Sequence, residues 1–195
     1  MTAITPLEFI HKKGIFGDHQ KINESDLLKI SEVKNLTIIQ VVQYKKSKIN
    51  INDVKIDGIE ISETNSHVAS NKETRILWNA PRTWLVLSNK ENIADIIKSN
   101  LKEEDFAITD ISHSRAIIQI KGLQAKEVLK KGSSINFSEF DVNTCSGSVF
   151  SGITIVIDLI SNDPDTFNIL TLRSFGESFY HHITDSALEF GYTGV

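Results

Sequence analysis

Alternation between apolar and polar positions dominates the chain and predicts mostly β-strands. The stretch LTIIQVVQY, residues 36–44, is rich in β-branched residues and favours a strand. The nearly continuous apolar run GITIVIDLI, residues 152–160, predicts a strand that is covered on both faces. After the turn NDPD, the stretch TFNILTLR, residues 166–173, predicts another strand, and Asp57-Gly58 marks a tight turn between two alternating runs.

Helical spacing replaces this alternation in three places. Ser88 and Glu91 have the spacing of a capping box, and the apolar positions that follow predict a helix over about 89–101. A short helix over 124–131 should end at Gly132, the residue type expected just past a helix end.

Ser174 and Glu177 repeat the capping-box spacing and predict a final helix. Its buried stripe should consist of Phe175, Phe179, Ile183, Ala187 and Phe190.

The order of these elements predicts the α+β class, with two small subdomains that have mainly antiparallel sheets and helices packed on them. Residues 1–30 are predicted to form an irregular N-terminal arm, with a short helix over 24–30. The N-terminal subdomain should cover 31–103, and the C-terminal subdomain should cover 104–195 in the order β-β-α-β-β-α. The expected core consists of Trp84, Ile96, Ile97, Ile118, Ile120, Val128, Leu129, Ile155, Ile157, Phe179 and Ile183.

Composition narrows the class of protein. Hydrophobic residues make up 40% of the 195 residues, charged residues make up 24%, and the net charge is −4. This balance supports a buried core and argues against a nucleic-acid or membrane-surface binder. The sequence lacks an uninterrupted apolar run of about 18 residues and begins without the pattern of a signal peptide, so a cytoplasmic protein without a membrane span is expected.

The motif DISHSR, residues 110–115, places the three residue types of a hydrolase triad side by side. On an extended strand, Asp110 and Ser112 would point to one face and His113 to the other. A nucleophile must come within about 3 Å of its base. The spacing therefore excludes a triad on a strand.

A structural or interface role is the favoured interpretation of this motif. Asp110 and Ser112 at a strand entrance can satisfy backbone donors, and Arg115 can pair with a carboxylate. Asp110, Ser112, His113, Arg115 and the later Arg173 are the candidate structural or interface residues. A ligand-contact role is the alternative for the motif.

Other chemistry has little support in the sequence. His181 and His182 are consecutive on a predicted helix and project about 100° apart, so they cannot chelate one metal ion from one face. Cys145 is a lone cysteine, for which a buried structural role is the default. Glycine-rich nucleotide-binding motifs are missing from the sequence. No catalytic, cofactor-binding or metal-binding residue is expected on this chain.

Four segments in order resemble one family, the gamma subunits of heterotetrameric sarcosine oxidase. They are RILWNAPRTWLVL (75–87), DISHSRAIIQIKGLQAKEVLKKG (110–132), CSGSVFSGITIVI (145–157) and LRSFGESFYHHITDSALEFG (172–191). The resemblance covers about residues 70–191. One departure is Cys145-Ser146-Gly147-Ser148, where relatives typically have C-x-Q-T, and it leaves room for a different N-methyl amine as substrate.

The resemblance implies a non-catalytic assembly subunit of a four-subunit flavoenzyme. Such an enzyme oxidises sarcosine to glycine, produces peroxide and passes a one-carbon unit to tetrahydrofolate. The alpha, beta and delta subunits would be its partners, and the sites for FAD, FMN, NAD, zinc and tetrahydrofolate would lie on them. The resemblance also implies a fold similar to the folate-binding domains of aminomethyltransferases.

An alternative function stays open at this stage. A free-standing folate-binding or one-carbon transfer protein would need an acidic residue for the pterin and a basic residue for the glutamyl tail. Asp110 and Arg173 are the candidate pair for that role.

Overall fold

The computed structural model describes residues 4–20 and 22–195. The strands are β1 (Gly14–Phe16), β2 (Leu28–Glu32), β3 (Thr37–Gln43), β4 (Lys55–Ile56), β5 (Ile59–Glu60), β6 (Val68–Ser70), β7 (Thr74–Ala80), β8 (Thr83–Ser88), β9 (Phe106–Asp110), β10 (Arg115–Lys121), β11 (Cys145–Phe150), β12 (Ile153–Asn162), β13 (Asp165–Leu172) and β14 (Tyr192–Gly194). The helices are α1 (Ile93–Asn100), α2 (Ala125–Lys130) and α3 (Gly176–Ala187), with short 3-10 turns between elements.

The first compact unit comprises the described residues up to Lys34 together with Ser114–Val142 and Gly147–Val195. Its sheet has the strand order β1-β14-β2-β10-β13-β12-β11. β2 and β14 run parallel, whereas β10 runs antiparallel to both β2 and β13. Helices α2 and α3 pack against its core, whose largest side chains include Phe137, Phe150, Phe167 and Phe179.

The second compact unit comprises Asn35–His113 and Asn143–Ser146. Its five-stranded sheet has the order β6-β7-β8-β3-β9 with antiparallel neighbours, and β4 and β5 form a separate hairpin. Helix α1 buries Ile93 and Ile97 in a core that also contains Trp84, Val86 and Phe106.

The predicted fold class is confirmed, because both sheets are mainly antiparallel and the helices are few. The strands predicted from residues 36–44 and 152–160 are β3 and β12, and the Asp57-Gly58 turn joins β4 to β5. Every predicted core residue is buried except Ile96, which is half-buried because α1 turns Ile93 and Ile97 inward instead.

The two predicted capping boxes are wrong. Ser88 ends strand β8, and its hydroxyl accepts a hydrogen bond from the Lys90 backbone N–H at 3.1 Å. Helix α1 therefore begins later, at Ile93. Ser174 lies in a 3-10 turn before α3, whose N-terminus has no side-chain cap.

The described part of residues 1–30 consists mostly of turns and irregular chain, with strand β1 and the start of strand β2 within it. Leu28 and Ile30 alternate with exposed positions in β2 and bury their side chains in the core of the first unit. The helix predicted over 24–30 is replaced by a 3-10 turn at Glu24–Asp26 followed by this strand. Residues 1–3 and 21, also assigned to the arm, lie outside the described residues.

The boundary between the two compact units also differs from the boundary that the sequence predicts between residues 103 and 104. Strand β9 pairs with β3 from Ile39↔Asp110 to Gln43↔Phe106, so it belongs to the second unit. The chain passes into the first unit only after His113. The local sequence pattern did not indicate that β9 belongs to the second unit, because only its pairing with β3 shows which sheet it joins.

Candidate functional site

The DISHSR segment leaves strand β9 and turns sharply at once. Asp110 ends the strand, and residues Ser112–Ser114 form a 3-10 turn. The Asp110 Oδ1 atom accepts hydrogen bonds from the Ser112 backbone N–H at 2.9 Å and from the Ser112 hydroxyl at 2.6 Å. The same hydroxyl accepts a hydrogen bond from the Ile38 N–H at 2.8 Å. Asp110 and Ser112 thus fasten the end of β9 to the start of β3.

The expectation that this segment is extended is wrong, because its alternation is broken by the 3-10 turn. The structure still gives the Ser112 hydroxyl a role that differs from that of a nucleophile. Its two hydrogen bonds are to Asp110 and Ile38, and neither involves His113. In a triad the histidine would accept the hydroxyl proton. His113 is exposed in the turn.

Hydrogen bonding lowers the pKa of the Asp110 carboxyl. The Ser112 hydroxyl is the main cause, followed by the Ser112 backbone N–H, and the nearby His113 adds a weaker attraction. Partial burial opposes this effect. The carboxylate form is therefore the form that the fold prefers.

We expect an Asp110→Asn variant to be less stable than the unsubstituted chain near neutral pH, by about 1 kcal/mol or less because the side chain is exposed. The folded pKa of Asp110 lies below the unfolded value, so its contribution is present above pH 3.8 and is lost as the pH falls through the folded pKa. Urea unfolding of the variant and the unsubstituted chain, near neutral pH and again below the folded pKa, measures the difference in their stability. An equal difference above and below pH 3.8 would contradict this role.

Arg115 does not form the ion pair that the sequence predicts. The residue is half-buried at the start of β10, and no hydrogen bond or ion pair joins its guanidinium to another described residue. Burial lowers the pKa of the guanidinium, which nonetheless remains charged. The physical reason lies in register, since the residue facing Arg115 across β13 is the apolar Leu172.

Arg173, the remaining candidate, is used locally. Its Nη2 atom donates a hydrogen bond to the Ile4 carbonyl, which ties the N-terminal segment to the 3-10 turn Arg173–Phe175. Asp110, its candidate companion for folate, accepts its hydrogen bonds from Ser112.

The remaining reactive side chains have structural partners or are exposed. The Cys145 thiol is buried and donates to the Trp78 carbonyl at 3.1 Å. His181 lies on the surface of α3, 3.9 Å from Glu177. Within residues 4–20 and 22–195, no group of three or more His, Cys, Asp or Glu side chains is arranged to hold a metal ion. No helix in that part of the chain is long and apolar enough to cross a membrane.

The Ser148 hydroxyl shares a hydrogen bond of 2.9 Å with the hydroxyl of Ser133. The hydroxyl at this position therefore links β11 to the segment that follows α2.

The sequence did not reveal a polar cluster at Asp57. Its carboxylate accepts hydrogen bonds from Lys90 Nζ at 2.6 Å and Thr74 Oγ1 at 2.7 Å, and Thr74 shares a buried hydrogen bond of 2.8 Å with Ser88. The turn at Asp57-Gly58 was the available signal, but the partners are distant in sequence.

Open cavities occur in both units. One of about 370 Å³ lies in the first unit beside Lys29, Lys121 and Leu123. Another, of about 540 Å³, lies in the second unit beside the β4–β5 hairpin and His67. None of the candidate residues lines either of them.

The fold places the chain among proteins with an aminomethyltransferase-like architecture. The glycine cleavage system aminomethyltransferase T from Bartonella henselae is similar with a TM-score of 0.58 and 13% identity, over 83% of this chain and 46% of that chain. This likeness is one of fold alone.

The particular family follows from the sequence. Residues 51–189 match the family described as "Sarcosine oxidase, gamma subunit family", so the chain belongs to that family. The resemblance predicted from the four segments is thereby confirmed.

Individual relatives agree with this assignment. The sarcosine oxidase subunit gamma of Corynebacterium sp. strain U-96 is 30% identical over 121 residues, which cover 60% of this chain and 58% of that protein. The chain thus spans under two thirds of that relative's length. A chain of the heterotetrameric sarcosine oxidase from the same organism, solved in complex with pyrrole 2-carboxylate, has a TM-score of 0.82 and 20% identity over 97% of both chains.

Proposed function

We propose that this chain is the non-catalytic gamma subunit of a heterotetrameric sarcosine oxidase. The observation that carries the proposal is family membership over residues 51–189, combined with a structural likeness to a chain of such an enzyme along nearly the whole length of both. In this role the chain would support assembly of an enzyme that converts sarcosine to glycine, with peroxide as product and a one-carbon unit passed to tetrahydrofolate.

The partners in this proposal are the alpha, beta and delta subunits. They would carry the active site and hold FAD, FMN, NAD, zinc and tetrahydrofolate. The complex would reside in the cytoplasm. The hydrogen bonds of Asp110, Ser112 and Arg173 join segments of this chain, which fits a structural role for these residues. We place these residues, with His113 and Arg115, in structural or interface roles.

Reconstitution tests the proposal. The chain is co-expressed with the three other subunits of a sarcosine oxidase from the same source, and the mixture is separated by size-exclusion chromatography. We expect the chain to co-elute with all three subunits, and the purified complex to release peroxide when sarcosine is added. Elution of the chain apart from the other subunits would refute the proposal.

A Ser112→Ala variant provides the control for chemistry on this chain. Removing the hydroxyl costs about 1–2 kcal/mol of stability, since one ordinary hydrogen bond to Asp110 and one acceptor for Ile38 are lost. The assembled variant should retain its sarcosine-dependent peroxide production. Loss of turnover in a fully assembled complex would instead indicate that Ser112 takes part in catalysis.

No specific observation favours the alternative of a free-standing folate-binding protein. The likeness to aminomethyltransferase T concerns the fold, and Arg173 of the proposed folate pair binds the Ile4 carbonyl.

A further inference from the structure

Two lysines face each other across neighbouring strands of the first unit. Lys29 of β2 and Lys121 of β10 are partners in the antiparallel register of these strands, and both side chains are exposed. Side chains that are directly opposite in such a pair have Cβ atoms about 4.5–5.5 Å apart, and like charges in this arrangement destabilise a sheet. The fold therefore keeps two positive charges side by side at a cost in stability.

Both lysines line the open cavity of about 370 Å³ in this unit, so their side chains share one site. Within the described part of the chain, no ion pair joins either ammonium group to a carboxylate. Asp26 also lines the cavity, but its carboxylate accepts hydrogen bonds from Asn23 at 3.3 Å and Ser25 at 3.1 Å. The carboxylate of Asp165, beside the end of β10, is paired with Lys126 at 3.0 Å. Two positive charges against one negative charge make the cavity favourable for an anionic occupant.

An exposed leucine also lines this cavity. Leu123 precedes Gln124, the N-cap of α2, and an apolar side chain in that position often packs against the fourth residue of the helix. That fourth residue is Val128, which is fully buried, yet Leu123 is 73% exposed. The turn is fixed, because the Gly122 N–H donates to the Asp165 carbonyl at 2.9 Å. An apolar side chain is thus held in solvent beside the two lysines.

We propose that this cavity, the Lys29–Lys121 cleft, binds an acidic segment of another subunit of the complex. Carboxylates of that segment pair with the two lysines and relieve their repulsion, and an apolar side chain next to them covers Leu123. A segment of a protein can cover the charges and the leucine together, whereas an inorganic anion leaves the leucine in water. This inference rests on the proposed function and adds to it the surface of the chain and the charge of the partner segment.

Reversal of one charge separates docking from a structural role. Lys121→Glu places a carboxylate opposite Lys29, so the melting temperature of the isolated chain should rise by about 1–3 °C. The same variant should weaken association with the other three subunits about tenfold or more, measured as the concentration at which the reconstituted complex dissociates. A structural role for the lysine would lower stability and association together. Unchanged association of the folded variant would refute the cleft and leave the proposed function standing.

Double variants test the sign of the partner's charge. Lys29→Glu with Lys121→Glu keeps a like-charge pair, so the stability of the chain should stay nearly the same while association weakens about 100-fold or more. Lys29→Arg with Lys121→Arg keeps the positive charges and should change association less than about threefold. The matched control is Lys98→Glu, on the exposed side of α1, with an effect also below about threefold. Equal losses in the glutamate and arginine variants would refute the acidic partner.

The leucine and the source of the occupant are tested separately. Leu123→Ser should weaken association about fivefold or more without lowering the melting temperature, because the side chain is exposed in the isolated chain. Size-exclusion chromatography of the isolated chain examines a second copy as the occupant. A dimer that the double glutamate variant no longer forms would overturn the assignment to another subunit. A failure of the unsubstituted chain to assemble would refute both this inference and the proposed function.

Discussion

Gly132→Ala should lower the free energy of unfolding by about 3 kcal/mol, the upper part of the range for overpacked cores. A Cβ atom at this position would lie 2.6 Å from Cε1 and Cζ of Phe150, which is closer than carbon atoms can pack. Phe150 has no room to retreat, because it is fully buried and its ring packs edge-on against Phe179 with centroids 5.7 Å apart. Urea unfolding of the two proteins measures the difference.

Two further variants test whether the contact with Phe150 is the reason for the loss of stability. Gly147→Ala adds the same methyl group where no atom lies within 4 Å, and it should change stability by about 0.5 kcal/mol or less. In a Phe150→Leu background, Gly132→Ala should cost less than it does in the unsubstituted chain, because the smaller side chain yields space. Equal costs in both backgrounds would show that Phe150 is not the obstacle.

Gly132 lies just after a helix, as the sequence predicts, but the requirement for glycine there has a different physical reason. The sequence places it just after a helix, where glycine usually supplies a left-handed conformation. α2 does end at Lys130, but Gly132 is not among the residues with positive φ. The requirement for glycine comes from Phe150, a contact that the local pattern of the helix does not contain.

Long runs were predictable because their local pattern determines their structure. The β-branched stretch of β3 and the apolar run of β12 have few alternatives to a central strand. Strand β2 is shorter, and its alternation becomes decisive only when β10 and β14 lie on either side of it. Pairing of β2 with β14 joins opposite ends of the chain, and no window of sequence contains both strands.

Some features of the candidate residues were likewise predictable from local sequence, and others depend on strand pairing. A turn bonded through Asp110 and Ser112 could be expected from their spacing, since such side chains commonly bond to nearby backbone N–H groups. The absence of a described carboxylate partner for Arg115 could not be predicted. Strand alternation gives the face on which a side chain lies, but not the residue opposite it on the next strand. The β10–β13 register decides that Leu172 faces Arg115.

Asp57→Ala should lower the free energy of unfolding by about 2–4 kcal/mol, because several hydrogen bonds end on one carboxylate. Its side chain is only 10% exposed and accepts from Lys90, Thr74 and Asn71. Without it, the Thr74 hydroxyl retains a single partner, Ser88, in a buried position. The loss should be visible as a lower urea midpoint with an unchanged slope.

The ion pair at the base of the same hairpin provides the control. Lys55 and Glu60 lie 2.9 Å apart, but both side chains are mostly exposed, so Glu60→Ala should leave the urea midpoint almost unchanged. If Asp57→Ala were as mild as Glu60→Ala, the Asp57 cluster would not hold the hairpin to β7.

The Asp57 cluster should also make the protein sensitive to acid. Hydrogen bonding by Lys90 is the main cause that lowers the pKa of Asp57, and it outweighs the opposing effect of burial. A folded pKa below the unfolded value of 3.8 means that the stabilisation is present above pH 3.8 and disappears as the pH falls through the folded pKa. The gap in stability between the unsubstituted chain and Asp57→Ala should therefore narrow in acid. A gap that stays constant as the pH falls would show that the carboxylate charge does not stabilise the hairpin.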